Sequence, residues 1–170
     1  AIRDINDKTF QVAIVADPWP GDRRDVETLI DFYGMRQNTT YLENLKPHEV
    51  NAILNRAKVN VVLSLQEGGN RCLFEGFFSG IPGLALKYNV GIRKDHFNLQ
   101  TGKLISERDL ARELLYFREH WHTFSPREWA ERNITPLVTP WVTTCSIVPN
   151  SAGPPIPRPS ARMPMCSTLE

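Results

Sequence analysis

Glu67 and Glu75 stand eight residues apart and enclose Gly68-Gly69-Asn70-Arg71-Cys72-Leu73-Phe74. An apolar run from Val59 to Leu65 precedes them, and the break Ser79-Gly80-Ile81-Pro82 follows. A Gly-Gly turn that feeds straight into a helix exposes unpaired backbone N–H groups at the positive end of the helix dipole, and together these attract phosphate. A carboxylate on each side of such a turn can hold sugar hydroxyls. The chemistry supported here is therefore the binding of a ligand that carries both phosphate and sugar.

The elements that must hold this turn alternate between strand and helix. Phe10 to Ala16 is a short apolar run ended by the turn signal Asp17-Pro18-Trp19-Pro20-Gly21-Asp22, and it reads as a buried strand. A helix is expected from Asp25 to Tyr33, with Val26, Leu29, Ile30, Phe32 and Tyr33 as apolar positions and Gly34 as its stop. Thr39 to Leu42 is a weaker strand. Pro47 to Arg56 reads as a helix with Pro in its first turn and Val50, Ile53 and Leu54 on one face. Val59 to Leu65 is almost continuously apolar, which suits a parallel strand covered on both faces.

The helix of the Glu-flanked segment covers about Asn70 to Phe78. Strands follow at Gly83 to Leu86 and Gly102 to Ser106, then an amphipathic helix from Glu107 to Glu119 with Leu110, Leu114, Leu115 and Phe117. Ser125 and Pro126 signal a short helix to Arg132 that packs Trp129 onto the domain. Such alternation predicts an α/β fold, a Rossmann-like doubly wound parallel sheet. Ligands of these sheets bind beyond the carboxyl ends of the strands, where the turns at Glu67 to Asn70 and Asp17 to Asp22 and the loop Lys87 to Gln100 are expected.

The text from Ala57 to Gln66, through Glu67-Gly68-Gly69 and Glu75, to Ser79-Gly80-Ile81-Pro82 resembles the carboxyl-terminal half of family 4 retaining glycosyltransferases. These are GT-B enzymes that use nucleotide-sugars and carry a Glu-x7-Glu motif. The likeness covers about residues 10 to 120 and rests on strand, Gly turn, helix, small-residue stop and Pro arriving together. It implies that the chain is the nucleotide-sugar-binding half of an enzyme that transfers a hexose to a glycan, lipid or small-molecule acceptor, as in polysaccharide biosynthesis. The alternatives are a non-transferase GT-B enzyme such as a nucleotide-sugar epimerase, and a non-catalytic Rossmann-like binding module.

The resemblance also implies roles for single residues. Glu67, the expected catalytic residue, would reach the donor sugar's hydroxyls near the reacting carbon; otherwise it is a solvated loop carboxylate. Gly68 and Gly69 would let the backbone pass close to sugar and phosphate, or form an ordinary tight turn. Asn70 would cap the helix and could also touch the diphosphate. Arg71, at the first helical position, is either solvated or retained for phosphate. Glu75 would accept both ribose hydroxyls with its two oxygens, the alternative being an exposed helix glutamate. A loop in the region of Thr39 to His48 approaches the nucleotide base in relatives, which adds Lys46-Pro47-His48 as a candidate. No cofactor or metal is expected beyond the donor substrate itself.

Relatives carry an Arg and a Lys that grip the diphosphate, located before the strand equivalent to Phe10 to Ala16. The chain starts at Ala1-Ile2-Arg3-Asp4-Ile5, so the expected partners are an amino-terminal acceptor domain or a partner subunit, through which peripheral membrane association would arise. Leu169-Glu170 resembles a cloning remnant.

Composition sets the outer bounds. A chain of 170 residues can bury one core, assigned here to a domain over residues 1–133. Lys and Arg total 20 against 19 Asp and Glu, so no global basic field points to nucleic acid or an anionic membrane. Cys72, Cys145 and Cys166 are odd in number and widely spaced, which fits neither a disulfide framework nor a zinc site and suggests a reducing, cytoplasmic setting. Asn38-Thr39-Thr40 and Asn133-Ile134-Thr135 match glycosylation acceptors by chance in such a setting. Residues 134–170 hold eight of the 13 prolines and few charges, and read as a disordered tail or a segment crossing to a missing domain through Trp141, Val142 and Val148. His120 and His122 read as surface or packing residues, and His96 as a residue of the loop that shapes the sugar pocket in relatives.

Overall fold

The computed structural model describes residues 5, 7, 9–16, 22–68 and 71–134. Expectations for the turn at 17–21, for Gly69 and Asn70, and for the tail from 135 lie outside the described residues. The chain divides into two compact units, the first ending at Ile53 and the second starting at Leu54.

In the first unit, strand β1 (Val12–Ala16) pairs in parallel with β2 (Thr39–Glu43), Val12 opposite Thr39 and Ala16 opposite Glu43. Helix α1 (Asp22–Phe32) connects them. It ends where the sequence places its stop: Gly34 has φ 65°, its N–H bonds the Asp31 carbonyl, and the Met35 N–H bonds the Ile30 carbonyl. A residue in left-handed conformation with this bond pair closes a helix, and glycine adopts it without a Cβ penalty. Of the expected apolar face Ile30 is buried, whereas Leu29, Phe32 and Tyr33 are exposed. Arg23 ties α1 to β2 by an ion pair with Glu43 at 2.9 Å and lies over the Tyr41 ring. Helix α2 (Pro47–Leu54) starts as expected with Pro, and the buried Glu49 carboxylate accepts the Lys46 backbone N–H at 2.7 Å, satisfying a helix-start donor.

The second unit holds a three-stranded parallel sheet, β3 (Asn60–Val62), β4 (Gly83–Leu86) and β5 (Gly102–Ile105), in that order. Helix α3 (Arg71–Phe78) links β3 to β4; α4 (Leu110–His120) and α5 (Pro126–Asn133) follow β5. Residues alternate between the two faces of β4 and β5. Ala85 and Leu104 join Val62, Leu73, Phe77, Phe78, Ala130 and Ile134 in the core under α3 and α5. On the opposite face Lys103 reaches Glu113 of α4 at 2.9 Å and stands 3.7 Å from the Tyr116 ring centre. Fully buried Leu73 and Phe77 each contribute roughly 1.5–3 kcal/mol relative to exposure.

All five expected strands are present and every pairing is parallel, which is compatible with a Rossmann-like fold. They ladder in two small sheets instead of one continuous sheet. The third strand also differs from expectation. Its ladder stops at Val62, and Val61, Leu63 and Leu65 are exposed, so the apolar run does not lie between two covered faces. The reason is positional: among the described residues β3 pairs on one side only, and period-two alternation puts these three residues on the face opposite the buried Val62. The start of α4 differs by less, residues 107–109 forming a 3-10 turn before the helix proper. Among the described residues no helix is long and apolar enough to cross a membrane.

Candidate functional site

Helix α3 carries the Glu-flanked segment, and three features fix it on the sheet. Gly76 lies against β3, where an added Cβ would meet the Asn60 Nδ2 at 2.6 Å, and that Nδ2 donates to the Cys72 carbonyl at 2.7 Å. The helix stops at Gly80, φ 80°, whose N–H bonds the Phe77 carbonyl while the Ile81 N–H bonds that of Gly76. Arg127 of α5 donates its Nε to the Phe78 carbonyl at 2.7 Å, satisfying a further terminal acceptor. Trp129 packs as expected, its ring centre 6.1 Å from Phe77 and 5.2 Å from His96. Ser125 makes no side-chain cap at the start of α5; its hydroxyl accepts from the Gln100 Nε2 instead.

The loop that delivers Glu67 is joined to the loop after β4. Gln66 and Val90 form a parallel bridge, the Glu67 N–H donates to the Val90 carbonyl at 2.8 Å, and the Val90 N–H donates to that of Leu65 at 2.9 Å. Pairing between β3 and β4 runs Asn60 to Gly83, an offset of 23, whereas Gln66 pairs Val90, an offset of 24. The one-residue slip is taken up in the turn where the Asn89 N–H bonds the Leu86 carbonyl. Asn89, 2 % exposed, donates its Nδ2 to the Ser64 carbonyl at 2.6 Å and to the Ser64 Oγ at 3.2 Å. Ser64 Oγ in turn donates to a Glu67 carboxylate oxygen.

The expected site residues are placed as follows. Glu67 is partly buried in this clamp. Gly68 is exposed, and an added Cβ there would find nothing within 4 Å. Arg71 is exposed at the first position of α3. Glu75 is half-buried one turn further on, and burial raises its carboxyl above the usual range, with the charge of Arg71 acting in the opposite sense. The Glu75 carbonyl accepts the Ser79 N–H at 3.0 Å, while its carboxylate makes no side-chain hydrogen bond or ion pair among the described residues. Cys72 lies between the two glutamates: desolvation pushes its thiol up, and the charges of Glu67 and Glu75 push the same way.

His96, 8 % exposed, is a core residue wedged between the rings of Phe74 and Trp129, its ring centre 5.4 Å and 5.2 Å from theirs. Its carbonyl accepts from the buried Thr101 hydroxyl, and its Nδ1 has no partner among the described residues. His120 stacks on Tyr116 with ring centres 4.5 Å apart, and His122 is exposed, in keeping with surface and packing roles. Lys46 immediately precedes α2 in the first unit, its backbone N–H bonded to the Glu49 carboxylate, and His48 is exposed in the first turn. Among the described residues no group of three His, Cys, Asp or Glu side chains could hold a metal ion.

Sequence reasoning passed over Ser64, Asn89 and Gly91. The local text Tyr88-Asn89-Val90-Gly91 carries turn-forming residues after a strand, which is the one signal that would have drawn attention to them. Compared with protein-family models and with curated proteins, the sequence matches none.

Proposed function

We propose that this chain is the donor-binding half of a retaining glycosyltransferase, a Rossmann-like doubly wound unit of GT-B type that binds a nucleoside diphosphate-sugar. In this reading the bond from anomeric carbon to diphosphate breaks, and an acceptor hydroxyl attaches with the anomeric configuration kept. Glu75 accepts the two ribose hydroxyls, Glu67 meets the donor sugar, and the α3 N-terminus with Arg71 faces the diphosphate, where oriented dipoles and cations stabilise the growing charge. An amino-terminal acceptor domain or partner subunit supplies the acceptor and the remaining diphosphate contacts.

The observation that carries this reading is Glu75. It is a half-buried carboxylate on α3 one turn from Arg71, with no side-chain hydrogen bond among the described residues and a pKa raised by burial, the kind of group that ligand sites use. Gly68 is compatible with the same reading, because the space around it is open and leaves room for a ligand to approach the backbone. The test is calorimetric titration with UDP, GDP and ADP and with UDP-glucose, GDP-mannose and ADP-glucose. One base is expected to bind, and Glu75→Ala to weaken it by at least about tenfold, the scale of a lost charge-assisted hydrogen bond. Binding that survives the substitution unchanged refutes the assignment of Glu75.

A further inference from the structure

We propose that Asn89 and Ser64 are positioning residues for Glu67, setting where its carboxylate meets the donor sugar; this rests on the donor-site reading above. The hydrogen-bond directions leave one arrangement. The Ile92 N–H donates to the Asn89 Oδ1 at 3.2 Å, and the Ser64 carbonyl accepts from the Nδ2, so the amide orientation is fixed by a donor on one side and an acceptor on the other. The same Nδ2 faces the Ser64 Oγ as a donor. A hydroxyl has one proton, and with an amide donor on its lone pair that proton is directed to Glu67.

The polarity therefore runs from the Asn89 amide through the Ser64 hydroxyl to the Glu67 carboxylate. Burial of Asn89 keeps water from competing for these bonds. The loop 89–91 thus holds Glu67 twice, by its backbone N–H on Val90 and by its side chain through Ser64. A structural asparagine needs the Ser64 carbonyl and the Ile92 N–H alone; the branch to the hydroxyl serves the carboxylate. A group held in this way is set before the ligand arrives, which is how first-contact residues gain precision.

The test compares wild type with Ser64→Ala, Ser64→Thr and Asn89→Ala, titrating each nucleoside diphosphate and its sugar conjugate as above. Ser64→Ala and Asn89→Ala are expected to lower the ratio of conjugate affinity to diphosphate affinity by about tenfold, with the diphosphate alone unchanged and Ser64→Thr retaining the ratio. An unchanged ratio, or equal loss of both ligands, overturns the proposal. Amide hydrogen exchange supplies an arm that needs no ligand. Asn89→Ala should speed exchange at Glu67 and Val90 at least about tenfold while Ala85 and Leu104 keep their protection; unchanged exchange at Glu67 also overturns it. Wild-type protein that binds none of the six ligands defeats the donor-site reading, and with it the sugar-contact role of the clamp, even if the exchange arm shows Asn89 holding the loop.

Discussion

A Cβ on residue 91 would stand 1.8 Å from the carbonyl oxygen of Glu67, so Gly91 and Glu67 meet through their backbones with no room for a side chain between them. Gly91 also has φ 102°, a conformation that L side chains rarely adopt. Gly91→Ala is accordingly expected to cost about 2–4 kcal/mol in urea denaturation, the sum of backbone strain and displacement of the Glu67 loop. A cost below about 1 kcal/mol would show that the loop yields, and that Glu67 is not tightly held.

Gly68 gives the opposite expectation, although it is the next residue after Glu67. With open space around it and no left-handed φ, Gly68→Ala should leave stability unchanged or raise it by about 0.4–1 kcal/mol through the unfolded chain. Under the proposed function it should nevertheless weaken nucleotide-sugar binding by about tenfold or more. Stability and affinity that fall together would place the defect in the fold.

Glu75 should make stability and binding pull apart with pH. Burial raises its folded pKa above the ordinary 4.5. The folded state then keeps its proton to higher pH than the unfolded chain, so stability falls as pH rises from about 4.5 through the folded value. Glu75→Gln should raise the melting temperature at pH 7.5 and give no gain at pH 4, each kcal/mol appearing as about 2–8 °C. Equal gains at both pH values would show that charge is not the cause.

His96 should act in the acid range. Burial lowers its folded pKa below 6.5, with Asp95 raising it and Arg93 lowering it. The unfolded chain takes up a proton first as pH falls below 6.5, so stability is complete above that value and declines between it and the lower folded one. His96→Phe, placed between Phe74 and Trp129, should lose less melting temperature from pH 7.5 to pH 5.5 than wild type. Identical losses would mean that His96 is charged in the folded state at the lower pH.

What could be read from the sequence follows from how local each signal is. Gly34 and Gly80 end their helices as read, because a left-handed residue after an apolar periodic run is decided within one turn of chain. Pro126 and Trp129 were legible for the same reason. Glu67, Arg71 and Glu75 come to one helix start because they are near neighbours in sequence. The bonds that hold Glu67 were not legible, since Asn89 lies 25 residues from Ser64 and is placed by a one-residue slip between paired strands that leaves no periodic mark. Val61, Leu63 and Leu65 misled for a related reason: an apolar run reports that a strand is suited to burial, while pairing beyond the strand decides whether both faces are covered.

That edge has a practical cost. Leu63 and Leu65 are 46 % and 63 % exposed beside a short strand that pairs on one side among the described residues, with no charge between Val61 and Leu65. Natural sheets protect such borders with lysine or proline, and an unprotected one recruits further strands. Self-association is therefore expected to start at Leu63 and Leu65, and Leu65→Lys is expected to raise the concentration at which the protein stays monomeric in size-exclusion chromatography.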